Sequence, residues 1–245
     1  MCEKSCKPSP VVRAIITLLL VLCALYRARA QQNNSAFQFD PSATVNVDIT
    51  DKVRMELLVG HEDSEDAAKN RWKVRTGLSF RLKPLFRSLL DGDPEHDKRH
   101  FLVFKASYEY SRSTYSEVTY NEHRITLEAT PRHRWPGKIL TSDRNRLEFR
   151  WINGLYHLRY RNRVRAERGF RIKNRTLTPY VSAEAYWDQR YNIWSQVKFT
   201  GGADIPLGRK MSLDTYYERR NCTTCSPRYI NILGASLNLY FKLKH

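Results

Sequence analysis

The chain has 245 residues, a formal net charge of +17, a sequence pI near 9.8 and a mean hydropathy of −0.60. Taken alone, these values describe a soluble basic protein that meets nucleic acid or an anionic surface. The order of the residues removes that reading.

Residues 1–30 have the layout of a secretory signal. Lys4, Lys7 and Arg13 precede a short apolar core, AIITLLLVLCAL, and Ala28-Arg29-Ala30 forms an A-x-A processing site. The core is shorter than the roughly 20 residues of a membrane-spanning helix. Leu22 stands before Cys23, where a lipoprotein signal needs a small residue. The expected organisation is a signal peptide at 1–30, an N-terminal extension at 31–41 and one barrel domain at 42–245. Cleavage removes five basic residues and one acidic residue, so the exported chain stays strongly basic. Nucleic acid is not an expected partner of such a chain.

Downstream, no second long apolar run occurs and period two takes over. Ala43, Val45, Val47 and Ile49 alternate with Thr44, Asn46 and Asp48, and Val53, Met55, Leu57 and Val59 alternate with Arg54 and Glu56. Trp72, Val74, Leu78, Phe80 and Leu82 share a face, as do Leu102, Phe104, Ala106, Tyr108 and Tyr110. Ile125, Leu127 and Ala129 oppose Arg124, Thr126 and Glu128, and Leu147, Phe149 and Trp151 oppose Arg146, Glu148 and Arg150. The stretch HLRYRNRVRAE puts Arg159, Arg161, Arg163 and Arg165 at alternate positions. On a strand, all four fall on one face, with Leu158, Tyr160, Val164 and Ala166 on the other. Later runs around Val181, Leu213 and Leu239 repeat the pattern.

Several runs reach about ten residues, the 9–11 that a tilted strand needs to cross a bilayer, whereas sandwich strands are nearer 5–6. The apolar faces end in aromatics at Tyr108, Tyr110, Trp151 and Trp187, as an interfacial girdle requires. The fold predicted is all-β: a transmembrane antiparallel β-barrel of 10–12 strands. Eleven segments are legible. Bacterial barrels with even strand numbers and both termini in the periplasm point to ten, with 42–59 as one strand, or to twelve, with 138–141 in an extra hairpin. Ile152-Asn153-Gly154, Gly201-Gly202 and Pro206-Leu207-Gly208 read as turns, and 83–98 and 131–142 as loops.

The segments LEATPRHRWPGKILTSDRNRLEFRWING, LRYRNRVRAERGF, LTPYVSAEAYWDQRYNIWS and LGASLNLYF resemble a bacterial family known only as a domain of unknown function, predicted to be outer-membrane β-barrels. The likeness runs from about Phe37 to Phe241. Its most specific parts are Asp143-Arg144-Asn145-Arg146, read as a turn leading into a strand, the arginine ladder, and Leu177-Thr178-Pro179-Tyr180. The chain departs from common barrel practice by ending on His245, which leaves Phe241 as the aromatic insertion signal. The resemblance implies a fold and a location in the bacterial outer membrane, in contact with its lipid, and no activity.

The expected lumen lining comprises Arg146, Glu148, Arg150, Arg159, Arg161, Arg163, Arg165, Glu167, Glu184 and Glu218. Two readings follow: a structural barrel closed by arginine–carboxylate pairs, or a narrow pore preferring small anionic solutes. The alternative class is a lipid-modifying hydrolase with His157, Ser182 and Glu184 in the lumen or at the rim, although no motif binds them into a triad. Cys222 and Cys225, in NCTTCSP, are expected to form a small disulfide at a hairpin tip. No metal or cofactor is expected.

Overall fold

The computed structural model describes residues 35–64, 69–82, 101–115, 118–172 and 175–243. The signal peptide, the loop at 83–98 and His245 lie outside these residues. The wall is built from β1 (Ser35–Asp48), β2 (Val53–Ser64), β3 (Lys69–Leu82), β4 (Leu102–Tyr115), β5 (Val118–Trp135), β6 (Ile139–Ile152), β7 (Leu155–Arg168), β8 (Phe170–Ile172), β9 (Arg175–Asp188), β10 (Ile193–Pro206), β11 (Met211–Cys222) and β12 (Tyr229–Lys242). The three-residue β8 continues β7 past Gly169 and pairs with β9, so the wall counts eleven strands.

Neighbouring strands pair antiparallel in chain order, and β1 closes the barrel against β12. With an odd number of strands the first and last run the same way, so that closing pair is parallel, from Ser35 opposite Tyr229 to Asp48 opposite Lys242. The expectation of ten or twelve strands is therefore corrected to eleven. Thr50 and its neighbours form a true turn, with the Lys52 and Val53 amides donating to the Thr50 hydroxyl, so 42–59 is two strands. At the other disputed place, Ile139 already lies in β6, so there is no extra hairpin.

Three other boundaries also move. β1 begins at Ser35, inside the stretch read as an extension; Ala36 and Gln38 are buried inward while Phe37 and Phe39 face outward, so the alternation runs straight past Pro41. The segment 131–142 is mostly strand: β5 runs on to Trp135 and keeps one register with β6 on both sides of Pro131. Gly201-Gly202 lies within β10. The Asn153-Gly154 turn is as expected, both residues having positive φ (48° and 84°), as a two-residue hairpin requires.

The outer surface carries an apolar belt that includes Leu57, Val74, Leu78, Ile125, Leu127, Val164, Val181 and Phe199, all exposed. Aromatic pairs crowd the end where the Asn153-Gly154 hairpin turns, with Trp151 and Tyr156 rings 5.5 Å apart and His61 and Trp72 4.2 Å apart. Among the described residues no helix is long and apolar enough to cross a membrane. The molecule has the fold of an outer-membrane β-barrel, and its polar core is the lumen.

Candidate functional site: the ion-pair lumen

Because successive side chains on a strand point to opposite faces, every second residue of β3 to β9 enters the lumen, and these positions are rich in arginine and carboxylate. Glu148 on β6 is 0% exposed. It accepts from Arg159 Nε at 2.7 Å and Arg161 Nη1 at 2.8 Å, both on β7. Arg161 also holds Glu184 on β9 through Nη2, 2.9 Å from each carboxylate oxygen. Tyr186 lies against this pair, its ring centroid 4.3 Å from the Arg161 guanidinium and its hydroxyl donating to Glu184 at 2.9 Å. Arg146 reaches Glu128 at 2.7 Å and Arg150 reaches Glu122 at 2.6 Å, both on β5. Arg124 joins Glu122 (2.7 Å) to Glu109 (3.2 Å) on β4. The result is a continuous mesh of charge-assisted hydrogen bonds running across the wall from β3 to β9.

The ten residues expected in the lumen lie on the strand faces opposite the exposed apolar belt. Arg165 pairs with Glu167 at 2.8 Å, and Glu218 takes Lys198 at 2.9 Å and Arg220 at 3.2 Å. Arg163 differs from the rest: among the described residues it makes no hydrogen bond or ion pair, and its Nε is buried without an acceptor. Glu109, Glu122, Arg124, Glu128 and Arg144 also belong to the mesh. Their signal in the sequence is the same period-two phase on β4 to β6 that marked the ladder.

A second device lines the rest of the lumen. At four inward glycines a long side chain from the adjacent strand lies flat across the bare backbone and reaches a carboxylate one strand further on. Lys73 crosses Gly60 to Asp40 (3.0 Å), and Lys105 passes Gly77 to Glu56 (2.6 Å). Tyr180 crosses Gly202 to Asp214 (2.9 Å), and Tyr216 crosses Gly234 to Asp40 (2.9 Å). A Cβ on Gly60, Gly202 or Gly234 would collide with the crossing chain, and one on Gly77 would meet Ser107 first, with Lys105 at 3.2 Å. The consequence is a wall whose long side chains lie along it instead of projecting across the lumen.

A model of a protein family matches residues 37–230, most of the chain. The chain belongs to that family, described as Protein of unknown function (DUF2490). No curated protein matches it. Among solved structures, this DUF2490 chain is similar to the β domain of the Bordetella autotransporter BrkA (12% identity, TM-score 0.44, covering 74% of this chain and 80% of that one). It is also similar to LpxR from Salmonella typhimurium (8% identity, TM-score 0.49, 88% and 92% covered).

In this DUF2490 barrel, the side chains named for hydrolysis are not brought together. Glu184 is held by Arg144, Arg161 and Tyr186. Ser182 sits opposite Arg165 on β7, eight residues along that strand from His157, on the order of 25 Å at about 3.3 Å per residue. Cys222, the last residue of β11, and Cys225, in the loop that follows, are joined as a disulfide. Among the described residues no group of His, Cys, Asp and Glu is placed to hold a metal.

The outer face contains one polar island. Asp143, expected in a turn, lies inside β6 and points outward with Asn145; Asn162 of β7 donates to Asp143 at 2.6 Å and to Asn145 at 3.1 Å. Asn162 was legible as a break in the apolar face, but its partners were not. Replacing Asn162 with valine leaves the Asp143 carboxylate only the longer 3.3 Å bond from Asn145 Nδ2 and is expected to lower stability by about 1–3 kcal/mol. Adding Asp143→Leu removes that carboxylate and should recover most of that loss. Urea midpoints in lipid vesicles, read by heat-modifiable gel mobility, test the pair.

Proposed function

We propose that the chain is a narrow, anion-preferring passage through the bacterial outer membrane, its apolar belt set in lipid. The observation that carries this reading is Arg163, a lumenal guanidinium with no carboxylate within ion-pair distance among the described residues. Its surroundings reinforce the bias: β6 and β7 turn seven arginines and two glutamates inward, so pairing within that stretch leaves positive charge over. Lumenal guanidinium excess favours anions entering a water-filled passage. The mesh fills one side of the lumen. Along β10, β11, β12 and β1 much of the lining is short or lies flat, with Ser42, Thr44, Thr200, Ser236 and Asn238 near the crossed glycines, while the long side chains of Lys198 and Arg220 are drawn onto Glu218.

The test is single-channel conductance of the refolded mature chain in a planar bilayer under a potassium chloride gradient. The expected reversal potential is that of an anion-preferring pore, shifted toward cations by Arg163→Glu. Arg163 is the residue to change, because Arg161 anchors two buried glutamates and its loss would disturb the fold. A folded, inserted barrel that conducts nothing, or one that prefers cations, overturns the reading.

A further inference from the structure

We propose that the lumen holds a seat for a small zwitterionic solute, its acid group on Arg163 and its ammonium group on Asp204 and Asp214; this deepens the passage reading and rests on it. Two inward charges stand apart from the mesh. Arg163 has no hydrogen-bonding or ion-pair partner among the described residues, and neither has Asp204, whose Oδ1 is buried without a donor. Arg163 sits across from Arg144 on β6 and, on its other side, from Glu184 on β9, which Arg144 and Arg161 already hold; Asp204 sits across from Asp214 on β11 and Thr178 on β9. Like charges facing each other across strands oppose pairing of those strands. Elsewhere in this lumen arginine and carboxylate meet at 2.6–3.2 Å, so the separation here is not for want of suitable groups.

A spacer keeps them apart. The Arg165 guanidinium lies 3.6 Å from the Tyr180 ring centroid, and the Tyr180 hydroxyl donates to Asp214 at 2.9 Å. Tyr180 is fixed in that pose by its passage over Gly202. Arg165 and Asp214 touch the same Tyr180 side chain, one at its ring and the other at its hydroxyl, so the two halves lie about one phenol apart. No cation lies within ion-pair distance of Asp214 or Asp204 among the described residues. A phenol therefore separates a cationic half-site from an anionic one. A carboxylate can take two parallel N–H bonds from Arg163, and an ammonium brings three donors to the facing aspartates. A simple anion satisfies one half and a simple cation the other; a molecule carrying both groups satisfies both.

The experiment measures interruption of single-channel current by glycylglycine, propionate and propylammonium. Glycylglycine is expected to interrupt the wild-type current at a concentration at least tenfold below either singly charged probe. Arg163→Gln and Asp204→Asn should each remove that tenfold advantage, while Asp204→Asn leaves the action of propionate unchanged. Both substitutions relieve a like-charge contact, so both variants should fold, which heat-modifiable gel mobility checks. Propionate as effective as glycylglycine, and indifferent to Asp204→Asn, would reduce the seat to an anion site and overturn the proposal. Propylammonium or calcium as effective as glycylglycine would reduce it to a cation site and overturn the proposal equally. If the folded barrel is silent, the passage reading falls by itself. Equilibrium dialysis of labelled glycylglycine against the micelle-held barrel then decides the seat: binding lost in both variants supports it, and no binding sinks it.

Discussion

Replacing Glu148 with alanine is expected to cost the barrel about 3–5 kcal/mol, the usual penalty for removing one member of a buried ion pair. The wild-type carboxylate has no exposed surface and accepts from two arginines of β7, with Arg146 a further 3.7 Å away. Its loss leaves Arg159 without its carboxylate partner and Arg161 with only Glu184, in a place from which water is excluded. Much of the penalty is the stranded charge, so Glu148→Gln, which keeps an acceptor but not the charge, should lose less than alanine and still fall well below wild type. The comparison is Glu167→Ala, whose carboxylate is 12% exposed and whose partner Arg165 is 20% exposed and stacked on Tyr180; with water closer at hand the loss should be smaller, about 1–2 kcal/mol. Urea unfolding in vesicles, followed by tryptophan fluorescence, measures all three. Equal losses at Glu148 and Glu167 would mean that water reaches the mesh and that burial does not set its strength.

What could be read beforehand follows from how each feature is encoded. Face is a local property with a period of two, so the ladder and the inward glutamates are visible in HLRYRNRVRAE and RNRLEFRW. Pairing is not local. That Arg161 bridges Glu148 and Glu184 depends on the registers of β6, β7 and β9, which the turns set. Residues with two meanings hid the rest. Pro41 resembles the end of an extension, but the β1–β2 pairing passes from Phe39 to Ser42 without it, so its missing N–H costs little there. Gly201-Gly202 has the look of a turn because glycine pairs usually make one, and only the crossing of Tyr180 over Gly202 explains it inside β10. Asp143 passed for a turn residue by chemistry, since a carboxylate on the lipid side of a strand is rare unless neighbouring amides satisfy it, as Asn162 does. The strand count was legible at eleven and was displaced by a rule about even numbers that the parallel β1–β12 closure does not obey.

The crossed glycines supply the second large effect. A Cβ added at Gly234 falls within the Tyr216 ring. The ring must leave the wall, and with it goes the bond from its hydroxyl to Asp40 on β1. Asp40 ties together both sides of the closing seam, accepting from Tyr216 of β11 and from Lys73 of β3. Gly234→Ala should therefore lower stability by about 1–3 kcal/mol, as overpacking does, and swing a phenol into the passage, reducing single-channel conductance. Tyr216→Phe separates the two causes: it removes the bond to Asp40 and leaves the ring flat, so it should destabilise less and leave conductance near wild type. Gly201 is the control, because a Cβ there meets nothing within 4 Å. Gly201→Ala is expected to be neutral or slightly stabilising, since alanine loses less backbone entropy than glycine in a strand. If Gly234→Ala behaves like Gly201→Ala in both stability and conductance, the tyrosine does not need the glycine, and the flat lining of β10 to β12 has another origin.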